Sequence, residues 1–144
     1  MTPDEGPAQA SRPDSLTVGQ LMERATTKAE VDDHIAAAAY LMKHARTTAL
    51  VILMPGTGRI AGIITATDVA NVVADGKDVN QVRIGEVMKP EPAVITGNAS
   101  AREAAELMLA RRVRQLPVVD DAGDVVGIVN IADACRGLLG EDSR

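Results

Sequence analysis

The chain says nearly the same thing twice. Val18-Gly19-Gln20-Leu21-Met22 returns as Ile84-Gly85-Glu86-Val87-Met88, and Leu41-Met42 as Leu107-Met108. Val51-Ile52 returns as Val118-Val119, and Gly62-Ile63-Ile64-Thr65-Ala66-Thr67-Asp68 as Gly127-Ile128-Val129-Asn130-Ile131-Ala132-Asp133. The offsets are 66, 66, 67 and 65 residues. A spacing this steady marks a duplicated supersecondary unit. A chain of 144 residues holds two such units as halves of one small domain, not as two large independent ones.

Any core must be aliphatic, because Phe and Trp are absent and Tyr40 is the one aromatic residue. A net charge of −5 argues against a nucleic-acid partner, which clustered Lys and Arg would attract through counterion release. The lack of aromatic residues also removes base-stacking platforms. No apolar run approaches the roughly 20 residues that span a bilayer, and the N-terminus lacks the basic-then-apolar order of a signal peptide. The expectation is a cytoplasmic protein with no membrane partner. Cys135 is the single cysteine, so no internal disulfide forms, and it is expected to be a small buried apolar residue.

Pro3, Pro7 and Pro13 lie among small polar residues in 1–14, which reads as a disordered tail, and 141–144 as a short C-terminal one. The first repeat is placed at 15–80 and the second at 81–140. Each opens with a short helix ending at Met22 or Met88, followed by a polar linker, Glu23 to Lys28 and Lys89 to Pro92. A strand is expected at Thr27 to Val31 and at Ala93 to Thr96. Helices then run to about Arg46, capped by Asp32 or Asp33, and to about Arg112, capped within Asn98 to Ser100. Ile35, Ala38, Ala39 and Met42 match Ala101, Ala104, Ala105 and Met108 at the spacing of one buried helix face. Strands at 49–54 and 60–65, and at 116–119 and 125–129, are separated by Gly- and Asp-containing turns, so each pair is expected to be antiparallel. A closing helix gives βαββα, twice, an α+β fold.

The chemistry concentrates where the last strand of each repeat meets its last helix. Thr65 and Asn130 are N-cap residues, and the helix behind each offers free N–H groups at its positive end, a site suited to an anion. Asp68 and Asp133 follow three residues later. They fit two readings: a capping box in which Asp returns to the cap N–H, or a ligand site that Gly62 and Gly127 leave open to close approach. His34 and His44 lack partners at metal-ligand spacing and are expected at the surface, so no metal site is foreseen. No catalytic Ser-His-Asp set, phosphate-binding G-x-x-x-x-G-K loop or dinucleotide G-x-G-x-x-G is present.

These pieces, with Arg111-Arg112-Val113-Arg114-Gln115 leading into Leu116-Pro117-Val118-Val119-Asp120, resemble a tandem pair of CBS domains, the Bateman module, over about residues 15 to 139. The resemblance implies two repeats packed with pseudo-twofold symmetry and clefts that hold adenosine-containing ligands such as AMP, ADP, ATP or S-adenosylmethionine. It implies that Asp68 and Asp133 accept from ribose hydroxyls, that Thr65 and Asn130 support ribose or phosphate, and that Val94, Ile95 and Pro117 wall the adenine. Arg114 is the candidate phosphate contact, with Thr47 as its counterpart in the first repeat; the competing reading makes Arg111, Arg112 and Arg114 a solvated helix end beside favourable C-terminal dipole charge. No catalytic cofactor is expected. The leading function is a regulatory sensor acting on a separate partner protein, and the alternative is a ligand-free interaction module. A homodimer is expected in either case, and an enzyme using Asp68 and Asp133 lacks a nucleophile or metal.

Overall fold

The structure, a computed structural model, describes residues 16–24 and 27–140. The tails expected at 1–14 and 141–144 lie outside the described residues. Helices are α1 (Val18–Leu21), α2 (Ile35–Ala45), α3 (Ala66–Ala74), α4 (Ala101–Arg111) and α5 (Ile131–Leu139), with a 3-10 turn at Ile84–Glu86. Strands are β1 (Glu23–Arg24), β2 (Lys28–Glu30), β3 (Ala49–Leu53), β4 (Ile60–Thr65), β5 (Lys89–Pro90), β6 (Ile95–Thr96), β7 (Gln115–Val119) and β8 (Val125–Asn130). The order βαββα therefore appears twice, as β2-α2-β3-β4-α3 and β6-α4-β7-β8-α5.

Two compact units result, and each borrows its leading segment from the other repeat. One contains the described residues 16–24, 93–122 and 126–140, and the other 27–92 and 123–125. In the first, the sheet order is β1-β8-β7-β6; in the second, β5-β4-β3-β2. The borrowed edge strand is antiparallel in both, with Glu23 and Arg24 opposite Ile128 and Gly127, and Lys89 and Pro90 opposite Ile63 and Gly62. The stretches expected as linkers thus contribute strands. Two residues carry no periodicity, so pairing with a neighbour alone makes them strands.

The helix between strands carries the chain back across the sheet, so β2 pairs with β3 and β6 with β7 in parallel. The β3–β4 hairpin is antiparallel as expected. The register also corrects one sequence match. Leu50 and Ile52 occupy the core of their unit as Leu116 and Val118 do in theirs, so Val118 corresponds to Ile52 and the offset stays at 66 through this strand. It falls to 65 at Gly62 and Gly127 because residues 54–59 connect one hairpin and the shorter 120–124 the other.

Each core is aliphatic. Ala29, Ile35, Ala38, Met42, Leu50, Ile52, Ile64, Val72 and Ile84 fill one, and Val18, Ile95, Ala104, Met108, Leu116, Val118, Val129 and Ala134 the other. Ile84 and Val18, from the borrowed segments, are wholly buried. Helix α4 begins with the expected cap: Ser100 Oγ accepts from Glu103 N–H at 3.0 Å and Glu103 returns to Ser100 N–H at 2.8 Å. Helix α2 does not. His34 occupies the cap position without a side-chain bond, Asp33 instead accepts from Glu30 N–H, and the N–H groups of Ile35 and Ala36 donate to the carbonyls of Val82 and Val79. Backbone from a neighbouring loop replaces the cap that Asp32 or Asp33 was expected to supply.

Candidate functional site

At the end of β4 both readings of the Thr65–Asp68 pair meet in one geometry. Asp68 Oδ2 accepts from the Thr65 N–H at 2.8 Å and from the Thr65 hydroxyl at 3.0 Å, while Asp68 N–H donates to Thr65 Oγ1 at 3.3 Å. This is a complete capping box. The other oxygen, Oδ1, accepts from the ammonium of Lys89 on β5 at 3.2 Å. Asp68 itself is buried, whereas the Lys89 side chain is 61% exposed.

The second unit is built alike from different residues. Asp133 Oδ2 accepts from Asn130 N–H at 3.0 Å, and Asn130 Oδ1 accepts from Asp133 N–H at 2.8 Å. Asn130 therefore substitutes for the hydroxyl residue as a cap acceptor. Oδ1 of Asp133 accepts from Arg136, one turn along α5. The strand register makes Glu23 the counterpart of Lys89, and the 65-residue offset makes Asn71 the counterpart of Arg136. The paired cation comes from the borrowed strand in one unit and from the closing helix in the other.

The helix starts are less open than free N–H groups would be. Ala66 N–H donates to the carbonyl of Thr48, and Ile131 N–H to that of Arg114, each at 2.8 Å. Two N–H groups of each first turn are thereby used, one by this carbonyl and one by the cap side chain. The same contacts correct the sequence alignment: Thr48, not Thr47, is the counterpart of Arg114. Arg46 and Arg112 occupy matching left-handed C-cap positions, and Thr47 matches Val113, both donating to the preceding methionine's carbonyl.

The glycines that precede the motif have a different purpose from ligand access. A Cβ on Gly62 would stand 2.6 Å from the Lys89 carbonyl and 2.7 Å from the Met88 sulfur. Gly127 is hemmed in alike by Met22 and Glu23. Both glycines admit the borrowed edge strand. Among the adenine candidates, Val94 precedes β6 and is exposed, whereas Ile95 and Pro117 are buried within their unit's sheet. Cys135 is exposed, contrary to expectation, because it lies on the outer side of α5 with Ala132 and Leu139, away from the buried Ala134 and Gly137. His44 is exposed and stacks on Tyr40 at 4.0 Å between ring centroids. Among the described residues no cluster of His, Cys, Asp and Glu has the arrangement to hold a metal, and no helix is long and apolar enough to cross a membrane.

The CBS domain family model matches residues 18–75 and again 84–140. The chain belongs to the CBS domain family. This CBS pair is 29% identical over 139 residues to the mitochondrial CBS domain-containing protein CBSX3 of Arabidopsis thaliana, covering 89% of this chain and 67% of that one. It is 34% identical over 104 residues to the meiotically up-regulated gene 70 protein of Schizosaccharomyces pombe, covering 65% of this chain but spanning only 14% of the relative. Among solved structures, a putative signal-transduction protein with CBS domains from Burkholderia ambifaria superposes with a TM-score of 0.77 at 27% identity, covering 89% of this chain and 97% of that one. CBSX2 in complex with AMP shares the fold, with a TM-score of 0.71 at 24% identity over 86% of this chain and 96% of that one.

Sequence reasoning found both Asp residues and missed their cations. Arg136 was legible as an i, i+3 partner of Asp133. Lys89 was not, since only the pairing of β5 with β4 brings it to Asp68.

Proposed function

We propose that this CBS pair is a non-catalytic regulatory module that binds an adenosine-containing ligand, AMP, ADP, ATP or S-adenosylmethionine, at Thr65 and Asp68 and at Asn130 and Asp133, and relays its occupancy to a partner protein. The observation that carries the reading is the division of labour within each buried carboxylate. Oδ2 is committed to the cap, and Oδ1 is held by a cation alone, Lys89 or Arg136, whose side chain is partly exposed. A side chain of that kind can withdraw and leave a rigidly placed acceptor for a ribose hydroxyl. The AMP complex of CBSX2 supports the choice of ligand class. Relay requires only that the ligand bind one arrangement of the chain more tightly than another.

The test is thermal unfolding with each of the four ligands. A ligand present at about 100 times its dissociation constant adds about 2.7 kcal/mol, which raises the midpoint by several degrees in a chain of this size. The quantity to compare in Asp68→Asn and Asp133→Asn is the ligand-induced shift, because loss of the carboxylate also weakens a helix cap. A shift abolished by either change supports the proposal. No shift with any ligand, together with concentration-dependent association, favours the interaction module.

A further inference from the structure

We infer that Lys89 makes the Asp68 site selective for an anionic, phosphate-bearing adenosine ligand over a neutral or cationic one. This rests on the proposed binding role of Asp68 and adds to it a residue outside the strand-to-helix motif. Lys89 reaches Asp68 from another repeat, across 21 residues of sequence, and its ammonium contacts the one carboxylate oxygen that the cap leaves over. A hydroxyl arriving at Oδ1 competes with that ammonium for the oxygen. The backbone of Lys89 stays where it is, pinned opposite Ile63 by the β4–β5 pairing, so the released cation remains beside the ligand.

The charge exchange then depends on what the ligand carries. A phosphate offers Lys89 a new charge-assisted partner in place of the one it lost. Adenosine offers none, so its hydroxyl competes with the ion pair and returns nothing to the cation. S-adenosylmethionine brings a sulfonium bonded directly to the ribose 5′-carbon, a like charge nearer to the ribose than its carboxylate. The first unit is built differently: Glu23 stands at the position of Lys89, Arg136 one turn along α5 holds Oδ1 of Asp133, and Arg114 accepts at its carbonyl from Ile131 N–H at the same helix start. The inference is therefore confined to the Asp68 site, whose cation comes from the borrowed strand.

Isothermal titration of the full chain with ADP, adenosine and S-adenosylmethionine tests this, on the wild type and on Lys89→Gln, Lys89→Arg and Asp68→Asn. The wild type is expected to prefer ADP, Lys89→Gln to lower the ADP-to-adenosine affinity ratio about tenfold, and Lys89→Arg to retain most of it, the loss corresponding to one charged hydrogen bond. Lys89 is largely exposed, so its replacement leaves the fold intact. An unchanged ratio in Lys89→Gln overturns the inference and leaves adenosine binding standing. Binding that Asp68→Asn does not affect also overturns it, by assigning the ligand to the other unit. No binding of any of the three compounds removes this inference, and the proposed function with it if AMP and ATP also fail to bind.

Discussion

Gly127 and Met22 share a space with no room for another carbon: a Cβ on Gly127 would stand 2.5 Å from the Met22 sulfur. It would also stand 2.7 Å from the Glu23 carbonyl. The methionine can move, but the carbonyl belongs to β1, whose antiparallel pairing with β8 fixes it. Gly127→Ala and Gly62→Ala are each expected to cost about 1–3 kcal/mol, the range for inserting a carbon into a packed site. Urea denaturation followed by circular dichroism measures this. A loss below about 0.5 kcal/mol, the scale of a neutral surface change, would show that the edge strand gives way.

The capping boxes predict a graded series. Ser100→Ala removes a cap that belongs to neither Asp motif and is expected to cost about 1 kcal/mol. Asp133→Ala removes the partner of Asn130 N–H and strips Arg136 of its acceptor at a site only 3% exposed, so a larger loss, about 1–3 kcal/mol, is expected. Equal losses in the two variants would mean that the Arg136 contact and the burial of Asp133 add nothing to the cap.

Much of this was legible in the sequence for a simple reason. Ile35, Ala38 and Met42 recur as Ala101, Ala104 and Met108 because a helix buries one face, and Thr65–Asp68 recurs as Asn130–Asp133 because helix caps are local in sequence. What escaped was non-local. Met22 and Met88 look like helix ends, and Glu23 and Lys89 like the starts of linkers, until strands from the other repeat pair beside them, and Gly62 and Gly127 look like ligand clearance until those strands occupy the space. Asp33 was misplaced as a cap because the carbonyls of Val79 and Val82, more than 40 residues on, reach the start of α2 first.

Arg46 and Arg112 end α2 and α4 at φ of 55° and 58°, the left-handed conformation that favours glycine. Arg112→Gly and Arg46→Gly are each expected to raise stability by about 0.5 kcal/mol, the relief of left-handed strain exceeding the entropy glycine adds to the unfolded chain. Thermal unfolding decides it. A lower midpoint in both variants would mean that the arginine side chains stabilise their helix ends by more than the strain.

The absence of Phe and Trp gives the last prediction. With only aliphatic side chains available, α2 and α4 approach their sheets through Ala38 and Ala104, both at 0% exposure. Packing that close leaves no volume for a longer side chain, so Ala104→Leu is expected to destabilise by about 1–3 kcal/mol although it adds apolar surface. Met108→Leu, which nearly conserves volume on the same buried face, should cost less than about 1.5 kcal/mol. Ala110, on the exposed side of α4, should accept leucine within about 0.5 kcal/mol. Urea denaturation of the three variants separates a core limited by space from one limited by apolar area. If Ala104→Leu were the most stable of them, area would be the limiting quantity, and the small residues at 38 and 104 would not reflect tight packing.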